Sequence, residues 1–149
     1  MSQESTGLRG WPFPSPPVLH WNHLGVECAY TINTFGATPE LPADVPEFVR
    51  QVFQPWFCGY VRIPEGHPWR KFGSYYDIPA SVHGDLTYGP YAARYDDPKF
   101  YALEHSWEEV GGWVGFDTHH FNDPGTWTAE MVVEEVNRLA AQVAAGRTE

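Results

Sequence analysis

Seven histidines stand in this chain: His20, His23, His67, His83, His105, His119 and His120. Three segments place His or Asp at the ends of apolar stretches. These are Gly66-His67-Pro68, Val82-His83-Gly84-Asp85, and the run from Gly115 through Asp117, His119 and His120 to Asp123. In the last of them an apolar strand runs out at Asp117, with His120 three residues on and Asp123 three further. A strand end that turns into a loop can converge such groups on one point. His83, Asp117, His120 and Asp123 would make an N/O ligand set for a divalent metal such as Zn, Mn or Fe. The same groups could act as base and orienter around a small molecule. They could equally be structural, with Asp117 capping the loop that follows its strand. His119 is the weaker member of its pair, because adjacent side chains diverge. His20 and His23 read as strand or turn residues, and His105 as exposed. No HExxH, P-loop, GxGxxG or GxSxG pattern occurs.

Trp, Tyr and Phe number 7, 8 and 9 in 149 residues. Trp21, Phe57, Tyr60, Trp113 and Phe116 occupy strand positions and read as core. Trp69, Tyr75, Tyr76, Tyr88 and Tyr91 fall in Pro/Gly-rich stretches beside His67 and His83. Loop aromatics either pack the loop down or stack on a planar ligand. The expected ligand pocket is therefore His67, Trp69, Tyr76, His83, Tyr88, Asp117 and His120. A surplus of aromatics also fits a homo-oligomer.

The elements that must position these groups follow from period and punctuation. Residues 1–17 read as an extended arm, since Pro12, Pro14, Pro16 and Pro17 exclude a helix. Trp11 and Phe13 would pin it. Residues 18–149 read as one globular domain. Val18–Leu24 and Val26–Asn33 are expected strands, broken at Gly25, with Val26, Cys28, Tyr30 and Ile32 on one face. Asp44 followed by Glu47 suggests a short helix to about Phe53. Trp56–Ile63, Ser81–Tyr88 and Gly112–Asp117 are further strands, and Lys99–Val110 a short helix. Thr128–Ala145 carries a stripe of Val132, Val136, Leu139 and Val143, with Thr128 as cap and Gly146 as stop. The connections are too short for repeated βαβ crossovers. The expected class is α+β: a mostly antiparallel sheet of about five strands with the C-terminal helix on one face.

Nine basic against nineteen acidic residues give a formal charge of −10. With no Lys/Arg cluster, duplex nucleic acid is excluded as a partner. No apolar run approaches the roughly 20 residues of a membrane span. The N-terminal residues lack the apolar segment of a secretory signal. Cys28 and Cys58 form no CxxC pair and read as reduced, buried thiols of a cytoplasmic protein.

Three segments carry a resemblance: Cys58 to Pro68, Val82 to Tyr88, and Gly112 to Asp117. They are similar to the CGYVxxPxGHP, VHGGLTY-like and WWxGFDCAHxGD-like segments of a group of small uncharacterised proteins from bacteriophage and actinobacterial genomes. Trp21, His23 and Cys28 fit the start, and the likeness runs from Trp21 to Val143 with gaps. It implies His67, His83, Asp117, His120 and Asp123 as recurring polar positions. It departs at Asp85, where the group has Gly, at Thr118-His119, where it has Cys-Ala, and in a longer stretch over Gly89–Gly111. The group carries no assigned activity. Its phage setting implies an accessory or host-takeover role, and together with the aromatic-rich loops and the His/Asp cluster the expected function is binding of a small, nucleotide-like ligand that counteracts host defence signalling. Two alternatives stand beside this: a metal-dependent hydrolase using His83, Asp117 and His120, and a module that binds a host protein, its polar cluster being structural.

Overall fold

Alternation in Val26–Asn33 puts Val26, Cys28 and Tyr30 on one side of a strand and Ala29 on the other. All four are buried, so the strand is covered on both faces. The computed structural model describes residues 8–34, 40–52, 55–93, 99, 103–119 and 127–146. The strands are β1 (Leu19–His23), β2 (Val26–Asn33), β3 (Trp56–Arg62) and β4 (Trp113–Asp117). They form one antiparallel sheet in the order β1-β2-β3-β4. Helix α1 (Glu47–Val52) lies between β2 and β3 in sequence, and α2 (Ala129–Gly146) follows β4. The class is α+β. No helix among the described residues is long and apolar enough to cross a membrane.

The β1–β2 turn is Leu24-Gly25, with φ of 57° and 82°. Positive φ at both positions matches the twist of a two-residue hairpin. The Asn22 carboxamide oxygen accepts the Gly25 N–H at 2.9 Å.

Different ends of the chain seal the two faces. On one, Val26, Cys28, Tyr30, Val61, Ile63, Val114 and Phe116 pack against Val132, Val136, Leu139, Ala140 and Val143 of α2. Burying each such apolar side chain contributes about 1.5–3 kcal/mol. The helix axis can come close because Gly59 has no side chain: a Cβ there would lie 2.5 Å from Val136 Cγ2. Thr128 Oγ1 accepts the Met131 N–H at 3.2 Å, the expected cap. The Trp21 indole N–H donates to Asn137 Oδ1 at 2.8 Å, tying β1 to the helix.

On the other face, Ala29, Cys58, Tyr60 and Trp113 are covered by Leu8, Trp11 and Phe13, with Trp56 and Tyr88 at the sides. Trp11 meets Trp113 and Tyr60 edge-on, at ring separations of 5.0 and 5.4 Å. The Trp113 indole N–H donates to the Arg9 carbonyl at 2.9 Å. Arg9 also pairs with Glu27 at 3.0 Å. The N-terminal segment is thus a plug held by ring edges and a few polar ties.

Two expected elements differ. Ser81–Tyr88 is no strand, so among the described residues the sheet has four strands where about five are expected. Gly84 and Asp85 both have positive φ, 67° and 65°, and close a turn in which Asp85 N–H bonds the Val82 carbonyl. The backbone there finds partners on α2 instead of on a strand. Gln142 accepts from Ser81 N–H at 2.8 Å and donates to the Ser81 carbonyl at 2.7 Å. Glu135 Oε2 accepts from His83 N–H at 2.8 Å. Only the end of the segment reaches the sheet: Tyr88 forms a single bridge to Gly115, whose carbonyl also accepts the Thr87 N–H at 2.8 Å. The expected Lys99–Val110 helix does not run through residues 104–110, although Lys99 and Leu103 have 3-10 helical conformation. One turn stands there, opened by Ser106 and Glu109, whose side chains bond each other's backbone N–H at 2.7 and 3.0 Å. It ends at Gly111 and Gly112, both with positive φ.

Candidate functional site

His67 precedes Pro68, and Pro suits the first position of a helical turn. A short 3-10 helix, Pro68–Lys71, follows. His67 Nδ1 accepts the Trp69 N–H at 2.9 Å, which caps that helix. Nδ1 therefore carries the lone pair, and Nε2 donates to the Val143 carbonyl, 2.8 Å away near the end of α2. The ring is buried, with both nitrogens committed inside the fold. Trp69 packs edge-on beside it at 5.2 Å.

A cleft of about 240 Å³ opens here, lined by Pro68, Trp69, Lys71, Phe72, Pro79 and Gly146. Its walls are aromatic and proline rings. Lys71 is its one charged lining residue among those described, and Lys71 Nζ lies 5.2 Å from the centre of the Phe72 ring. Phe72 is anchored from behind, because its carbonyl accepts the Trp107 indole N–H at 2.8 Å.

The other expected site residues stand elsewhere. His83 lies against α2, its ring 4.7 Å from Trp127 and edge-on to it. Its N–H is held by Glu135, which also accepts from Arg138 at 2.6 Å. Burial would raise the Glu135 carboxyl, but the hydrogen bonds from Arg138 and His83 outweigh it and hold the group below its usual range. Asp117 ends β4 in register with Cys58, on the face that the N-terminal segment covers. Its Oδ1 accepts the His119 N–H at 3.3 Å, the turn-capping bond of a strand end. His83 and Asp117 thus belong to opposite sides of the sheet. His120 and Asp123 lie outside the described residues. Among the described residues no three His, Cys, Asp or Glu side chains gather into a metal-holding group.

The expected aromatic set also divides. Tyr88 sits among Phe13 and Tyr60, at 5.1 and 5.8 Å, and helps seal the sheet. Tyr76 is 60% exposed and packs with Tyr75 and Tyr91 in an outward-facing cluster. Among the described members of the expected set, His67 and Trp69 alone meet at one place, the cleft. Lys71 is the cleft residue that motif reasoning passes over, and its signal is a cation beside aromatics in an acidic chain. A stack of His119 on Trp56, at 4.3 Å and 25°, is likewise invisible in sequence.

The two cysteines are free and lie on opposite faces of the sheet. Burial pushes the Cys28 thiol up to about 12. Burial, helped by the Asp117 charge, pushes Cys58 up to about 11. Both stay protonated at neutral pH, which suits packing and not nucleophilic attack.

No protein family, curated protein or solved structure matches this chain. The chemistry of the cleft rests on its own lining. Stacking surfaces and one cation can hold a ligand, and His67, the nearest titratable ring, is already bonded at both nitrogens.

Proposed function

We propose that the protein is a binding protein for a small planar anion of nucleotide type, taken up in the Trp69–Phe72 cleft. The observation that carries the reading is a cleft with aromatic and proline walls whose one charged lining residue among those described is Lys71, in a chain of formal charge −10. Ligand pockets usually run from about 300 to 1,000 Å³. At about 240 Å³ this one suits a single ring system and not a dinucleotide. The base would lie against Phe72 and Trp69, and the phosphate would meet the Lys71 ammonium. The phage resemblance supports a host-derived signal as the ligand and sequestration as the role.

Calorimetry with AMP, cyclic AMP and ADP-ribose tests this. Binding of at least one in the micromolar to millimolar range is expected, weakened about tenfold or more by Lys71→Glu. No heat from any of the three at about 1 mM, or equal affinity in Lys71→Glu, rejects the cleft as an anion site.

A further inference from the structure

Arg62 ends β3, and Arg70 lies in the short Pro68–Lys71 helix. The fold sets their side chains beside one glycine. A Cβ on Gly112 would lie 2.7 Å from Arg70 Nη2 and 3.2 Å from Arg62 Cγ. Each guanidinium is fixed through its Nε–H. Arg62 donates to the Gly111 carbonyl at 3.0 Å, and Arg70 to the Ile63 carbonyl at 2.9 Å. The Arg70 guanidinium also lies 4.9 Å from the centre of the Trp107 ring. Among the described residues, no hydrogen bond occupies the Nη groups of either side chain.

Two like charges held side by side repel, and both groups are half-buried, where water screens them less than on an open surface. Elsewhere the chain answers a guanidinium with a carboxylate, Arg9 with Glu27 and Arg138 with Glu135. Among the described residues neither Arg62 nor Arg70 has such an ion pair. Glu65 and Glu108 act on Arg70 from exposed positions and favour its charge. Burial and the charge of Arg62 outweigh them and press the guanidinium below its ordinary range. Nineteen acidic side chains were available to neutralise this pair, and the described fold brings none of them into contact with it. An external anion completes such an arrangement.

We propose that Arg62 and Arg70 form a phosphate site, gripping one phosphate group with the free Nη groups of the two forks. Guanidinium forks match phosphate oxygens in pairs, with strong charge-assisted bonds. A phosphate dianion balances both charges, where a carboxylate would balance one. The site is separate from the cleft, whose lining includes Trp69 and Lys71 but neither arginine. It therefore does not rest on the nucleotide reading.

NMR titration of the full chain with inorganic phosphate, at constant ionic strength, tests the site. The Nε–H signals of Arg62 and Arg70 are expected to shift and saturate with a Kd of about 1 mM. Arg62→Gln should weaken binding about tenfold or more, read on the Arg70 signal, with unchanged circular dichroism. Arg50→Gln, which removes the same charge from α1, should leave it intact. Glycerol 3-phosphate is run beside the free ion: tighter binding makes an esterified phosphate the occupant, and weaker binding makes it the free ion. Three results overturn the proposal: no saturable shift up to about 50 mM, equal affinity in Arg62→Gln, or loss of binding in Arg50→Gln. The wild-type titration decides by itself should Arg62→Gln fail to fold. Lys71 is untouched in both variants, so failure here leaves the nucleotide measurements standing.

Discussion

Replacing Gly59 with Ala tests how closely α2 is seated on the sheet. The new Cβ would lie 2.5 Å from Val136 Cγ2 and 2.6 and 2.7 Å from two ring carbons of Phe116. Val136 and Phe116 are 0% and 1% exposed, so neither can swing into open space. Gly59 is not among the residues with positive φ, and the cost in the folded state is therefore steric. Overpacking of this kind costs about 1–3 kcal/mol, and three contacts inside van der Waals distance place it at about 2–3. For a chain of this length each kcal/mol lowers Tm by about 2–4 °C, so a fall of about 4–12 °C is expected. Val136→Ala removes the closest atom and costs about 2 kcal/mol by itself. The double variant should then be more stable than the sum of the single costs by about 1 kcal/mol or more. Thermal and urea unfolding of the four proteins measure the cycle. Simple additivity, or an unchanged Tm in Gly59→Ala, would refute the close crossing of α2 over β3.

Three further outcomes are expected. The Glu135 carboxyl is held below its unfolded value of about 4.3, so its contribution is fully present above that pH and is lost as the pH falls through the folded value. The Tm gap between wild type and Glu135→Gln should stay constant from about pH 7 to 5 and close toward about pH 3; a gap that widens in acid reverses the assignment. Cys28 and Cys58, pushed up to about 12 and about 11, should react with iodoacetamide at pH 8 at least about a hundredfold more slowly in the folded chain than in guanidinium. Fast alkylation of the native protein would contradict their burial. Trp11→Ala should cost about 2–3 kcal/mol in urea unfolding and open Trp113 to acrylamide quenching. A cost under about 0.5 kcal/mol would show that the N-terminal plug does not seal that face.

The elements with a strong local signal were legible in the sequence. Period two in Val26–Asn33 and the Val132–Val136–Leu139–Val143 stripe each give a face that must be buried; the stripe is, and so are Val26, Cys28 and Tyr30, whereas Ile32 near the strand's end is 47% exposed. Trp11 and Phe13 fill the pinning role their size suggests. Ser81–Tyr88 misled because Val82, Leu86 and Tyr88 are strand formers, whereas Gly84-Asp85 turns the chain and two α2 side chains bond its backbone. Those partners are 52 and 61 residues away, beyond the reach of any local pattern. The site was legible only in part. His67 and Trp69 flank the cleft, but His67 is there as a cap, and a motif does not show which atoms a ring has already spent. His83 and Asp117 look like partners in sequence because each ends an apolar stretch, and strand register sends them to opposite faces.

The ties that seal the sheet have a consequence for when the protein can become folded. Trp21 bonds Asn137 across 116 residues, Arg9 bonds Trp113 across 104, and His67 bonds Val143 across 76. Loops of this length close slowly, because their entropy is lost before the contacts form. On the ribosome, at about 5–20 residues per second, Asn137 follows Trp21 by about 6–23 s. For that interval β1 and β2 present their apolar face with no helix to cover it. The nascent chain is then a ready client for a holding chaperone, and its yield should depend more on the speed of synthesis than on the stability of the finished fold.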